Sequence, residues 1–133
     1  MGEREDEVSE KRKRSSLPSA FKYAFAGIVN TAKSEMSFRI ELVIAALAIV
    51  AAALLAFEPV EWVLIIIFIV IVLVLELINS ALESFIDLTS PDIHPLAKYA
   101  KDATAAAVLV AAVGAAIGGA FLFIQAALRL AGN

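Results

Sequence analysis

Residues 62–88 read WVLIIIFIVIVLVLELINSALESFIDL, and this stretch decides the fold. It opens with an unbroken apolar run, after which Glu76 and Glu83 follow seven residues apart. Seven residues are almost two helical turns, so both carboxylates project from one face of a helix. A charged side chain at mid-bilayer costs roughly 2.5–3.5 kcal/mol on insertion scales, whereas Leu or Ile returns only about 0.3–0.6 kcal/mol. Two such carboxylates on one face therefore indicate a functional site.

The composition places the whole chain in a membrane. Of 133 residues 61% are hydrophobic, and the mean hydropathy is +0.85. A single core of this size cannot hide so much apolar surface from water. The chain has no cysteine, which excludes disulfides, thiolate metal sites and a cysteine nucleophile.

The order of polar and apolar segments predicts an all-α membrane protein with one integral membrane domain at 17–133. Residues 1–16 are acidic and then basic, which is typical of a disordered tail. Its basic cluster at 11–14 either rests on anionic headgroups or only sets the topology. We expect an amphipathic surface helix followed by three transmembrane helices. The predicted bounds are about 17–35 for the surface helix and about 38–57, 61–88 and 95–128 for the spans.

The basic residues predict the orientation in a plasma or inner membrane. Ten of the 11 Lys and Arg lie in the N-terminal part, up to Arg39, or in the loop and helix start after the second span. By the positive-inside rule the N-terminus is cytoplasmic, and the C-terminus with Arg129 is outside. Gly114 and Gly118 in the third span form a GxxxG pair, which is typical of close helix packing. Three thin helices enclose a polar pocket poorly, so we expect an oligomer.

One face of the second span carries the candidate metal ligands and general base. Glu76, Asn79, Glu83 and Asp87 follow at helical spacing, and their oxygen atoms suit Mg²⁺ held together with substrate phosphates. A carboxylate can also act as a general base toward a hydroxyl group. The alternative is a polar stripe that only holds helices together.

Residues near this face extend the predicted site. Glu35 precedes the first span as a possible second metal ligand, although such a residue is usually just solvated. Lys98, Lys101 and Asp102 begin the third helix, and Lys98 and Asp102 are i,i+4 partners. The cations suit a nucleotide triphosphate, or else they only follow the positive-inside rule and form a surface pair. His94 has the alternative role of a loop or cap residue. No GxxxxGK[ST] or GxGxxG motif is present, so any phosphoryl transfer needs another nucleotide cradle.

Two longer strings resemble a known family. LELINSALESFIDL at 75–88 and HPLAKYAKDATAAAVLV at 94–110 resemble the small prokaryotic diacylglycerol kinases, a family that includes undecaprenol kinases. FKYAFAGI, KSEMSFRIE and the EW pair before the second span also fit, so the likeness covers about 18–125. Many undecaprenol-kinase-like members have Gly where this chain has Ala106. The HPLAK string and the EW pair look more like undecaprenol kinases than like the diacylglycerol-specific branch.

The resemblance implies a homotrimer whose active sites are shared between subunits. It implies ATP- and Mg²⁺-dependent phosphorylation of a lipid alcohol, undecaprenol or diacylglycerol, at the cytoplasmic face of the bilayer, with no nucleic acid as partner. The residues that match the family's functional positions are Glu76 as catalytic base, Glu35 and Glu83 as metal ligands, Tyr23, Asp92, His94, Lys101 and Asp102 as nucleotide contacts, and Asn79 with Asp87 as further active-site polar residues.

A second function fits the buried carboxylates taken alone. Intramembrane Glu and Asp also mark proton relays, so a small proton- or ion-coupled transport subunit is the alternative. A relay needs neither the cluster of Asp92, His94, Lys101 and Asp102 nor Mg-ATP. A non-enzymatic assembly subunit is a third reading, in which Glu76 would be costly and without use.

Overall fold

The computed structural model describes residues 17–90 and 94–132, and within them the chain forms four α-helices and no strand. The predicted tail at 1–16 and Asp92 lie outside the described residues. The helices, in chain order, are α1 (Leu17–Ser34), α2 (Met36–Leu54), α3 (Pro59–Thr89) and α4 (Pro95–Ala131). The prediction of an all-helical membrane protein is confirmed.

Helix α1 belongs to a unit of its own, and the second unit starts at Glu35. Pro18 lies in its first turn, where a missing backbone N–H removes no helical hydrogen bond. Large apolar side chains on the helix are exposed, and they recur every three or four residues. These exposed side chains are Leu17, Phe21, Phe25 and Ile28.

Helices α2, α3 and α4 are each long and apolar enough to cross a membrane. With 31 residues, α3 is about 46 Å long, which exceeds the roughly 30 Å of a hydrocarbon core. If the core begins near Trp62, about 20 residues cross it. Glu76 then lies within the last turns inside the hydrocarbon, and Glu83 and Asp87 lie beyond it.

Short caps and turns separate the three helices. After α2, Ala56 adopts a positive φ of 49°, and the Phe57 N–H returns to the Ala52 carbonyl at 3.1 Å. Pro59 then starts α3, and the Glu61 carboxylate accepts the Glu58 backbone N–H at 2.7 Å. This bond satisfies a donor at the helix start, so the turn is tight and well defined.

The core of the second unit lies toward the end of the bundle that holds this turn. Helix α3 packs mainly against α4 and less against α2. The buried cluster consists of Ala52, Phe57, Ile65, Leu122 and Ala126. The Phe57 ring contacts the rings of Trp62 and Phe123, with centroids 6.1 Å and 5.0 Å apart. The opposite end, where α2 begins and α3 becomes polar, holds the carboxylates of interest.

Candidate active site

The centre of the candidate site is Glu76, which is buried with only 4% of its surface exposed. Its Oε1 atom accepts a hydrogen bond from the Ser37 hydroxyl at the start of α2. Phe38, next to Ser37, is 1% exposed, so the start of α2 is fixed against the rest of the unit by packing. Helices α2 and α3 thus meet through a polar contact at Glu76, the carboxylate that the sequence predicts as the catalytic base.

A second carboxylate, on α2, interacts electrostatically with Glu76. Glu41 is four residues after Ser37 on α2, and its charge interacts with that of Glu76. Its Oε2 atom is buried without a hydrogen-bond partner, and so is the Oδ1 atom of Asn79. Buried polar atoms are rarely left unpaired, so these two acceptors indicate a place where a donor group binds.

An apolar cavity of about 350 Å³ lies between α2, α3 and α4, and Glu41 is part of its lining. Of the described residues that line it, Glu41 is the one with a charge. Representative apolar lining residues are Ala48, Ile65, Val72, Gly119 and Phe123. A cavity of this kind, mostly apolar with one polar end, suits a ligand with a hydrocarbon part and a polar head.

A cluster of charges follows farther along α3. The Lys101 Nζ atom on α4 contacts the Asp87 Oδ1 atom at 2.5 Å, and its charge also interacts with that of Glu83. Glu83 lies about 10 Å from Glu76 along the helix axis. Lys98 and Asp102 form the expected i,i+4 ion pair at 2.5 Å, with both side chains largely exposed. Lys101 therefore joins α4 to the acidic face of α3, whereas Lys98 forms a pair within α4.

The remaining predicted residues occupy other places. His94 is the N-cap of α4, where its Nδ1 atom accepts the Leu96 backbone N–H at 3.2 Å, as the cap alternative predicted. Glu35 occupies the N-cap position of α2, half-buried and extended. Tyr23 lies on α1, in the other unit, with an exposed side chain. In the described part of the chain, no three His, Asp or Glu side chains converge as a ready-made metal cluster.

Ser37 and Glu41 are the site residues that sequence reasoning missed. Glu41 lies in the first turns of the first span, and the sequence pattern alone assigns it no role. Ser37 and Glu41 are spaced i,i+4, which puts them on one face of α2. Polar residues at helical spacing in an apolar helix indicated the functional face of α3, and the same pattern could have indicated Ser37 and Glu41 on α2.

The comparison with known proteins identifies the family. Residues 22–123 match the family model for prokaryotic diacylglycerol kinase. The chain belongs to the prokaryotic diacylglycerol kinase family. The predicted resemblance is thereby confirmed. Arg129 and the end of α4 lie beyond the matched residues.

Relatives with two different names occur among similar proteins. A diacylglycerol kinase from Synechocystis sp. is 40% identical over 112 residues, which cover 84% of this chain and 64% of the relative. This chain therefore spans a little less than two thirds of that relative. An undecaprenol kinase from Bacillus subtilis is 38% identical over 79% of this chain and 85% of the relative. A diacylglycerol kinase from Escherichia coli is 36% identical over 71% of this chain and 78% of the relative.

Proposed function

We propose that this protein is an ATP-dependent lipid kinase that phosphorylates the hydroxyl group of a membrane lipid alcohol. The observation that carries the proposal is the buried Glu76, whose charge interacts with that of Glu41, a residue that lines an apolar cavity. This arrangement suits an acceptor whose tail stays in an apolar environment and whose hydroxyl reaches a carboxylate. The names of the relatives, which are those of phosphotransferases with an alcohol acceptor, support the same reaction.

Glu76 is the proposed general base. As the lipid oxygen forms its bond to the γ-phosphorus, the hydroxyl proton passes to the Glu76 carboxylate. The bond between the γ-phosphorus and the β,γ-bridging oxygen breaks, and ADP leaves with that electron pair. Positioning and electrostatic stabilisation supply most of the rate enhancement in such transfers.

Glu35 and Glu83 are the proposed ligands of Mg²⁺. Magnesium is commonly held by one or two carboxylates together with substrate phosphates, so no ready-made cluster of three carboxylates is needed. The half-buried Glu83 carboxylate, near the Lys101 ammonium, has the required oxygen chemistry. When bound, the metal would neutralise charge on the phosphates.

Five residues are proposed to bind the nucleotide, and Asn79 and Asp87 are proposed as further polar residues of the site. Lys101 supplies a cation near the acidic face of α3, and Asn79 has an amide oxygen that is still unpaired. An ammonium group close to a triphosphate provides charge-assisted hydrogen bonds. The further proposed nucleotide contacts are Tyr23, Asp92, His94 and Asp102.

The site is proposed to be formed at the cytoplasmic face by a homotrimer. The positive-inside rule places the N-terminus inside and the C-terminus outside, so ATP arrives from the cytoplasm. Many large apolar side chains on α2, α3 and α4 are exposed in the single chain. Lipid covers part of this surface, and we propose that neighbouring subunits cover the rest and share the active sites. Residues 17–133 are the proposed kinase domain.

Undecaprenol is the favoured acceptor, and diacylglycerol is the other candidate. The preference rests on the HPLAK string and the EW pair, because the relatives carry both names. The transport alternative is not favoured, since the family is one of lipid kinases.

The decisive experiment measures transfer of labelled phosphate from ATP to undecaprenol and to diacylglycerol, side by side in detergent micelles with Mg²⁺. We expect transfer to both lipids to be detectable and undecaprenol to be the faster acceptor. A matched control is Glu58→Gln, which alters a carboxylate at the opposite end of the bundle and should leave transfer unchanged. Absence of transfer to either lipid by the folded protein would refute the proposed function, and equal rates would refute the preference.

A further inference from the structure

We infer that Ser37 is a positioning residue that holds the Glu76 carboxylate in the orientation needed to accept the proton of the lipid hydroxyl. The inference rests on the proposed role of Glu76 as general base. Ser37 itself takes no proton from the substrate. Its hydroxyl binds the Oε1 atom of Glu76, so the remaining oxygen of that carboxylate is the proton acceptor.

The hydroxyl of Ser37 behaves differently from four hydroxyls of α1 and α3. Thr31, Ser34, Ser84 and Thr89 each donate to the backbone carbonyl four residues earlier in their own helix. Ser37 is the second residue of α2, and the helix is interrupted at Glu35. The carbonyl one turn earlier therefore belongs to a different helix. Because Ser37 lies at the start of α2, its hydroxyl is available to donate to a residue of another helix.

The bond that Ser37 makes joins two helices at the reacting group. Ser37 and Glu76 are 39 residues apart in sequence and lie on α2 and α3. Because Phe38 is buried beside Ser37, the serine is held on a fixed part of the helix. A short side chain on a packed helix turn fixes its partner better than a long flexible one, since it has few torsions to restrict.

The same bond distinguishes the two neighbouring carboxylates. A serine hydroxyl has one proton to donate, and here it goes to Glu76. The Oε2 atom of Glu41 has no donor. The bond to Ser37 therefore fixes the orientation of the Glu76 carboxylate and not that of Glu41. A general base must lie within about 2.6–3.2 Å of the oxygen atom whose proton it takes, so loss of this orientation lowers the rate.

The test compares Ser37→Thr with Ser37→Val, two side chains of almost equal shape of which only Thr keeps the hydroxyl. We expect Ser37→Thr to retain kcat within about threefold, and Ser37→Val to lose about 10- to 100-fold in kcat, as misorientation at a reacting centre does. The KM values for ATP and for the lipid should stay unchanged in both variants. Equal kcat values for the two variants would overturn the inference.

The oligomer size and the thermal unfolding of each variant are measured to check that it is folded. If Ser37→Val does not assemble, Ser37→Ala replaces it, because alanine is smaller than serine and cannot clash. We expect Ser37→Ala to show the same loss in kcat with unchanged KM values. A native kcat in an assembled Ser37→Ala protein would also overturn the inference.

A second measurement repeats the pair in a Glu76→Gln background. If Ser37 acts through Glu76, Thr and Val at position 37 should give the same residual rate there. A further 10-fold or larger loss with Val would show that Ser37 acts independently of Glu76 and would contradict the inference. Near-native turnover by Glu76→Gln alone would instead refute the proposed base, and the role of Ser37 with it. An inactive Glu76→Gln together with a fully active Ser37→Val would refute only the role of Ser37.

Discussion

Arg129 binds both carboxylate oxygens of Glu61, with its Nη1 atom 2.9 Å from Oε1 and its Nη2 atom 2.8 Å from Oε2, across 68 residues of sequence. The Nη2 atom also donates to the Ala56 carbonyl at 3.2 Å, and the Glu58 carboxylate lies 3.4 Å from Nη1. One guanidinium group thus connects the end of α4 to the turn between α2 and α3. Such bidentate pairing is specific to Arg, because the planar guanidinium matches the carboxylate fork.

Arg129→Met should lower the unfolding temperature in detergent by several degrees and leave kinase activity largely unchanged. The substitution leaves the Glu61 carboxylate without its partner cation at a buried position, which destabilises the fold. Thermal unfolding of Arg129→Met, Glu61→Gln and the double variant checks this. The double variant should lose less than the sum of the single losses. Additive losses would show that the two side chains do not stabilise each other.

Gly118→Ala should destabilise the protein relative to Gly114→Ala by about 1–3 kcal/mol, the usual cost of overpacking. A Cβ atom at position 118 would lie 2.6 Å from ring atoms of Phe68, whereas one at position 114 would have nothing within 4 Å. Both substitutions raise helix propensity by the same amount, so their difference isolates the packing term. Chemical denaturation in detergent measures the free energy of unfolding of each variant. Adding Phe68→Leu to Gly118→Ala should recover the lost stability. Equal stabilities of the two alanine variants would contradict this account.

Glu76→Gln should leave the oligomer folded and lower phosphoryl transfer at least 100-fold. The amide keeps the size of the side chain and accepts the Ser37 hydroxyl, but it cannot take the proton of the lipid alcohol. Labelled-phosphate transfer and size-exclusion chromatography check the two parts of this prediction. An assembled variant with near-native turnover would show that another group is the base.

Lys101→Met should raise the KM for ATP and lower kcat/KM at least 10-fold, while the KM for the lipid stays the same. The Lys101 ammonium lies between α4 and the acidic face of α3, where it contacts Asp87 and interacts with Glu83. Loss of this cation removes charge-assisted contacts to the triphosphate. Lys98→Met is the matched control, because the exposed Lys98 pairs within its own helix. Equal effects of the two variants would mean that only the overall charge matters.

Some features of the site could be read from residues close together in sequence. The spacing of Glu76, Asn79 and Glu83 fixes their common face once the segment is helical, and the apolar run before them makes that helix long enough to span a membrane. The i,i+4 spacing likewise predicted the ion pair of Lys98 and Asp102, and the position before a proline indicated the cap at His94. Local periodicity is sufficient for each of these features.

Other features depended on how the helices pack. Glu41 had no predicted partner, because the sequence does not show which face of α2 meets α3. Gly114 and Gly118 looked equivalent in the GxxxG pattern, yet only Gly118 lies against a side chain of the described chain within 4 Å that limits its size. The pairing of Lys101 with Asp87 depends on how α3 and α4 are aligned after a loop.

The sequence by itself determined that the chain is helical, that it belongs in a membrane, and that one face of α3 carries carboxylates, because hydrophobicity and helical period act over a few neighbouring residues. Only the tertiary structure decided that Ser37 binds Glu76, that the charges of Glu41 and Glu76 interact, and that Arg129 binds Glu61. These contacts join residues tens of positions apart. They exist only when helices have a particular rotation and axial offset, and those are set by side-chain packing over the whole bundle.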